Sequence, residues 1–159
     1  MPAAFTISPV HTPEDLAAIR LLFRAYAESL PVDLAYQGFE AELAALPGKY
    51  APPSGALFLA KGAHGKALGC VAMRPMAQPE SCEMKRLFVM PEGRGLGLGR
   101  ALAHAIIAAA RACGYSGICL DTLPTMSGAQ ELYGQLGFKP VAPYYATPVA
   151  GTVFLALKL

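Results

Sequence analysis

The stretch Cys82–Cys113, CEMKRLFVMPEGRGLGLGRALAHAIIAAARAC, limits what this chain can fold into more than any other. Glu83–Met90 ends in the apolar Leu87, Phe88 and Val89 and stops at Pro91-Glu92-Gly93, the pattern of a strand. Arg94-Gly95-Leu96-Gly97-Leu98-Gly99 has glycine at every second position. Arg100–Cys113 then reads as a helix with Gly114 as its stop. Leu98, Leu102, Ala105, Ile106, Ala109 and Cys113 mark its expected buried face, and Arg100, His104 and Arg111 the opposite one. A helix N-terminus carries unpaired N–H groups and a partial positive charge. Glycine removes the Cβ that would hold a ligand away. With Arg94 and Arg100 on either side, the unit predicts a cradle for a phosphate or pyrophosphate. A turn that merely connects has no use for three alternating glycines between two arginines.

Other phosphate loops fit less well. A nucleoside-triphosphate loop needs Gly-Lys-Ser/Thr, and here Gly99-Arg100-Ala101 supplies neither the lysine nor the hydroxyl. A dinucleotide fold needs G-x-G-x-x-G, and Leu102 stands where its third glycine belongs; Asp121 does lie near the distance of its acidic residue. That fold would also have to fit the short length left after the motif. The pattern that remains is Arg94, Gly97 and Gly99 in Arg-x-x-Gly-x-Gly. It resembles the pyrophosphate loop of the GNAT (Gcn5-related N-acetyltransferase) superfamily. Glu83–Val89 looks like that family's fourth strand and Ile118–Leu123 like its fifth. Leu132-Tyr133-Gly134-Gln135-Leu136-Gly137-Phe138 is similar to its late helix-to-strand signature. The similarity is strong over Glu83–Phe138, and element order extends it over nearly the whole chain. It departs at one point: many members carry an asparagine after the fifth strand, and this chain contains none.

The resemblance implies an acetyl-CoA-dependent N-acetyltransferase acting on a primary amine of a small molecule or peptide, by direct attack in a ternary complex. It implies that Leu87, Phe88 and Val89 pair with the pantetheine arm through their main chain. Arg94, Gly95, Leu96, Gly97, Leu98, Gly99 and Arg100 would hold the pyrophosphate, and Thr122 would add a cofactor contact. Tyr133 matches the family tyrosine whose hydroxyl faces the coenzyme sulfur; a phenol and a thiol have comparable pKa values, so it suits proton donation to the thiolate. Glu83 lies where some members keep a catalytic glutamate, though a salt bridge to Lys85 or Arg86 would equally explain it. Asp121 could attract a cationic amine or serve structure. Tyr36, Tyr50, Tyr144 and Tyr145 are candidates for the acceptor pocket. A non-catalytic acyl-CoA sensor on the same fold is the alternative of a different class, and Tyr133 favours catalysis over it. A homodimer through an exposed late strand is a further expectation.

Composition bounds the rest. At 159 residues the chain can bury one core as a single domain, 1–159. Its net charge of +2 is too small to argue for nucleic acid or an anionic membrane. No apolar run approaches a membrane span, and MPAAFTISPV has neither the basic start nor the apolar centre of a secretory signal, so the expected location is cytoplasmic. Cys70, Cys82, Cys113 and Cys119 form no C-x-x-C pair and no zinc spacing, so buried reduced thiols and no metal are expected. His11, His64 and His104 read as local or solvent-facing.

In chain order, the pattern predicts a strand Ala4–Ser8, a helix capped by Thr12 and running to Ser29, and a short helix Phe39–Leu46. Strands Ala56–Lys61 and Ala67–Met73 and a loop Pro75–Ser81 lead to the central unit. After Ile118–Leu123 come a loop Pro124–Gly128, a helix Ala129–Leu136, and strands Phe138–Tyr145 and Thr152–Leu159. The fold class expected is α/β: a central mixed, twisted sheet flanked by helices, with its parallel pair at strands 4 and 5.

Overall fold

The computed structural model describes residues 4–78 and 80–159; Pro79, in the expected loop Pro75–Ser81, and residues 1–3 lie outside them. The strands are β1 (Thr6–Pro9), β2 (Ala56–Lys61), β3 (Ala67–Pro75), β4 (Ser81–Val89), β5 (Gly117–Thr122), β6 (Lys139–Pro140) and β7 (Val153–Lys158). The helices are α1 (Pro13–Ser29), α2 (Phe39–Ala45), α3 (Leu98–Ala112) and α4 (Ser127–Gln135). The strands form one sheet in the order β1-β2-β3-β4-β5-β7-β6, antiparallel throughout except for the parallel β4–β5 pair that α3 connects. The mixed α/β sheet expected from the sequence is thus present. Among the described residues no helix is long and apolar enough to cross a membrane.

Both faces of the central strands are buried, by two separate cores. Along β3, Val71 and Met73 point to the side covered by α3, with Leu98, Leu102 and Ile106. Cys70 and Ala72 point to the side covered by α1 and α2, with Ile19, Phe23 and Leu43. This is the period-two alternation of a strand read from both sides. The α1 helix begins as expected. Thr12 Oγ1 accepts a hydrogen bond from the Asp15 N–H at 3.1 Å, Pro13 opens the first turn, and Glu14 and Asp15 sit at the positive end of the dipole.

Three expectations are corrected. The predicted strand Phe138–Tyr145 is reduced to Lys139–Pro140, because Pro140 and Pro143 lack the N–H a ladder needs and Tyr144 and Tyr145 turn inward to carboxylates. The buried face of α3 is Leu98, Leu102, Ala103, Ile106, Ile107 and Ala110, rotated from the predicted stripe. An alanine-rich helix leaves the phase of its apolar stripe weakly marked, and the sheet selects it. With that rotation Cys113 is exposed, whereas Cys70, Cys82 and Cys119 are buried.

Two irregularities of β4 build the site. Its ladder to β5 has only three pairs, Ser81↔Gly117, Cys82↔Ile118 and Glu83↔Cys119. Beyond them β4 stays with β3 and β5 stays with β7, so the parallel strands diverge. The β3–β4 register also shifts between Cys70 and Ala72, which leaves an extra residue in β4, and Arg86 there has φ +60°. Such a bulge turns the strand and lets neighbouring side chains reach the same side. Lys85 and Arg86, consecutive in sequence, both reach Gln37.

Candidate active site

The divergence of β4 and β5 opens a cleft. Lys85, Arg86 and Leu87 form one wall, and Asp121, Thr122 and Leu123 the other. Tyr133 enters from α4, and Tyr26, Tyr36 and Gln37 close the side toward α1 and α2. The β4 edge beyond Glu83 has no β5 partner, so backbone N–H and C=O groups beside Leu87 can pair with an extended ligand. Thr122 Oγ1 is buried without a hydrogen-bond partner. A buried hydroxyl in that state costs stability unless something arrives to bond it.

Past the end of β4 the chain passes through Pro91–Gly93 into the glycine turn. Gly97 caps α3 in the left-handed region at φ +76°, and Gly95 lies at φ +83°. A Cβ on either would meet nothing within 4 Å, so the turn has an open face. Behind it are the unpaired N–H groups of the first turn of α3. Arg94 and Arg100 are exposed beside it, and the Arg100 guanidinium also donates to Gln135 Oε1 of α4. Leu96 is exposed, and Leu98 is buried as the first core residue of α3. The orphan hydroxyl and the free strand edge belong to the cleft, and the open cradle follows the end of β4 in the chain.

The predicted residues separate into groups. Leu87, Thr122 and Tyr133 line the cleft. Phe88 does not: its side chain belongs to the core under α1 and packs edge-on against Tyr26 at 5.9 Å. Only its backbone remains available. Val89 sits beside the cradle, its Cγ2 3.9 Å from where a Cβ on Gly99 would be. Tyr133 is 6% exposed and tilted against Phe138 at 5.7 Å. Burial raises its pKa, so the phenol keeps its proton at neutral pH.

Glu83 lies below the divergence, outside the cleft. It pairs with Arg74 rather than with Lys85 or Arg86, the salt-bridge partners weighed as an alternative to catalysis: Arg74 Nε and Nη2 are each 2.9 Å from Glu83 Oε1. Tyr144 donates its hydroxyl to Glu83 Oε2 at 2.6 Å. Tyr145 donates likewise to Asp121 Oδ2 at 2.5 Å, and Asp121 Oδ1 lies 3.9 Å from Lys85 Nζ. Burial, reinforced by these carboxylates, raises both tyrosine pKa values. Burial lowers that of Lys85. Tyr36 lines the cleft, whereas Tyr50 is in the core against Phe23, its buried hydroxyl unpartnered.

Arg74 and Glu42 were missed from the sequence. The Arg74 signal was available: closing β3 and β4 around Pro75–Ser81 puts Arg74 directly opposite Glu83. The Glu42 signal was not. It donates nothing to a motif, and its two 3.0 Å contacts with Arg86 depend on the bulge.

Comparison with known proteins gives concordant matches. The model of the acetyltransferase (GNAT) family matches residues 17–138. An uncharacterised N-acetyltransferase of Schizosaccharomyces pombe is 43% identical over 158 residues, covering 99% of this chain and 97% of its own. N-acetylaspartate synthetase of Rattus norvegicus is 30% identical over 143 residues, covering 87% of this chain and 48% of that protein. Among solved structures, yncA of Salmonella typhimurium, determined with its cofactor acetyl-CoA, superposes with a TM-score of 0.70 at 21% identity, covering 98% of this chain and 94% of that one.

Proposed function

The chain belongs to the acetyltransferase (GNAT) family and is an N-acetyltransferase, and from that premise we propose that it transfers the acetyl group of acetyl-CoA directly to a primary amine, with both substrates bound together. The observation that carries this is the cleft beside the free β4 edge, with the unpaired Thr122 hydroxyl on its opposite wall and the open glycine turn following that strand in the chain. The donor supplies an already activated thioester. What the chain has to contribute is position, a proton for the leaving thiolate and a destination for the proton of the amine.

Backbone groups at Leu87, Phe88 and Val89 orient the donor's arm. Gly95–Gly99, with Arg94 and Arg100, hold its diphosphate. Tyr133 is protonated and lines the same cleft, and it donates to the departing sulfur. Glu83 is the proton acceptor on the amine side. Since it does not line the cleft, it is reached through the Tyr144 hydroxyl or a water. The acceptor enters from the side of Tyr36, Tyr144 and Tyr145. The rat relative is named for N-acetylaspartate, a product whose amine comes from a carboxylated acceptor. The salmonella structure was solved with acetyl-CoA, in support of the donor.

The test is turnover of an amine panel with acetyl-CoA, the products identified by mass spectrometry, for wild type and Tyr133→Phe. General acid catalysis accounts for roughly a hundredfold or more in rate. The variant is expected to lose at least about tenfold in kcat, with acetyl-CoA affinity within about twofold of wild type. Loss of affinity with kcat unchanged would assign Tyr133 to packing.

A further inference from the structure

On the acceptor side, a cavity of about 230 Å³ is walled by Lys49, Arg74, Glu83, Tyr144 and Tyr145. That is below the range of about 300–1,000 Å³ usual for drug-sized ligands, so it suits a smaller molecule. Its charged lining is two cations and one carboxylate. The carboxylate is already used: Arg74 holds Oε1 and the Tyr144 hydroxyl holds Oε2. The cations are not used up. Lys49 is exposed and makes no ion pair among the described residues. Arg74 spends Nε and Nη2 on a single oxygen, and its Nη1 has no partner among the described hydrogen bonds.

The two tyrosines complete the pattern. Each donates its hydrogen to a carboxylate, so each phenol oxygen still has lone pairs to accept a bond from an amine. Tyr145 is bonded to Asp121, which lines the donor cleft. Glu83 and Lys85 are two residues apart on β4, so the cavity wall and the cleft wall are separated by about 7 Å along the strand. The cavity therefore offers acceptors for an amine and spare cationic donors for an anion.

Resting on the function proposed above, we propose that this cavity holds the acceptor's tail and that the tail is a carboxylate: the acceptor is a small amine that carries a carboxylate, of amino-acid type. The bond formed is between the acceptor nitrogen and the acetyl carbon, the bond broken is the thioester, and the nitrogen's proton leaves while the thiolate gains one. The carboxylate takes no part beyond binding to Lys49 and Arg74.

The experiment pairs alanine, β-alanine, aspartate and glutamate with the corresponding amides, using the full chain, acetyl-CoA and mass-spectrometric product detection. Calorimetric titration with acetyl-CoA runs alongside. At least one acid is expected to exceed its amide by tenfold or more in kcat/KM. Lys49→Glu, at an exposed position, is expected to collapse that ratio at least tenfold through the KM of the acid. Lys66→Glu, on the exposed β2–β3 hairpin, controls for net charge and is expected to keep the ratio. Equal turnover of acids and amides, or a Lys49→Glu loss shared by both, overturns the inference. Acetyl-CoA binding without acetylation of any acid overturns it while leaving the donor assignment standing. Absence of acetyl-CoA binding overturns the proposed function and this inference with it.

Discussion

The four cysteines show how strongly a single residue's chemistry depends on placement. Burial pushes the Cys82 and Cys119 thiols up to about 12 and raises Cys70 further in the same direction. At pH 8 these three present almost no thiolate, and thiolate is the reactive form. Cys113 stands exposed at the end of α3, its Sγ 3.3 Å from the Pro53 carbonyl oxygen. Native protein treated with iodoacetamide at pH 8 is therefore expected to gain one carbamidomethyl group quickly, mapped by mass spectrometry to Cys113. The other three should follow only on unfolding. A second group added at the rate of the first would mean that the core opens readily. In the sequence Cys70, Cys113 and Cys119 have apolar neighbours, and nothing local distinguishes Cys113. Its exposure follows from the rotation of α3, which the packing of Ala103, Ile107 and Ala110 on the sheet decides. Tyr133 is the opposite case. A seven-residue pattern identified it, and its position in the cleft needed no knowledge of distant residues.

At the level of elements, α2 carries two glutamates whose ion pairs look alike in sequence and differ in worth. Glu40 meets Arg24 at 3.2 Å, with both side chains mostly in water. Glu42 meets the buried guanidinium of Arg86 through two 3.0 Å contacts; only 2% of the arginine side chain and 13% of the glutamate side chain are exposed. Tyr26 and Phe39 lie over that guanidinium at 5.8 and 5.3 Å. Removing one partner of a buried pair strands the other charge, at about 3–5 kcal/mol, whereas an exposed pair contributes about 0–1 kcal/mol. Urea denaturation is expected to show Glu42→Ala destabilised by about 3 kcal/mol and Glu40→Ala within about 0.5 kcal/mol of wild type. Comparable losses for the two would remove the Arg86 pair as the tie between α2 and the bulge of β4. Elements with strong local signals were legible: the Thr12 cap, the proline-bounded strands and the glycine-led α3 all lie within two or three residues of their expected limits. The bulge at Arg86 was not legible, since a non-glycine residue at φ +60° carries no local signature. The network it organises, from Arg86 to Gln37 and Glu42, was hidden with it.

For the molecule as a whole, the proposed donor track depends on elements far apart in the chain. The cradle belongs to the start of α3, the free edge to β4, the orphan hydroxyl to β5 and the phenol to α4. None of these is assembled in the unfolded chain, so a ligand that uses them together binds the folded state alone. At a hundred times its Kd such a ligand stabilises by about 2.7 kcal/mol. For a chain of this size each kcal/mol moves Tm by about 2–4 °C. Saturating acetyl-CoA is thus expected to raise Tm by about 5–10 °C in a thermal scan, with NADH at equal concentration producing no comparable rise. Gly97→Glu separates the cradle from the rest of the track. At φ +76° any side chain strains the backbone, by about 1–2 kcal/mol, so this variant should melt lower even without ligand. The informative quantity is then the shift on adding acetyl-CoA, measured within each variant. It is expected to vanish in Gly97→Glu, because the new carboxylate occupies the open face proposed to hold the diphosphate. A full shift in that variant would move the diphosphate away from the glycine turn and leave only the cleft between β4 and β5 to account for donor binding.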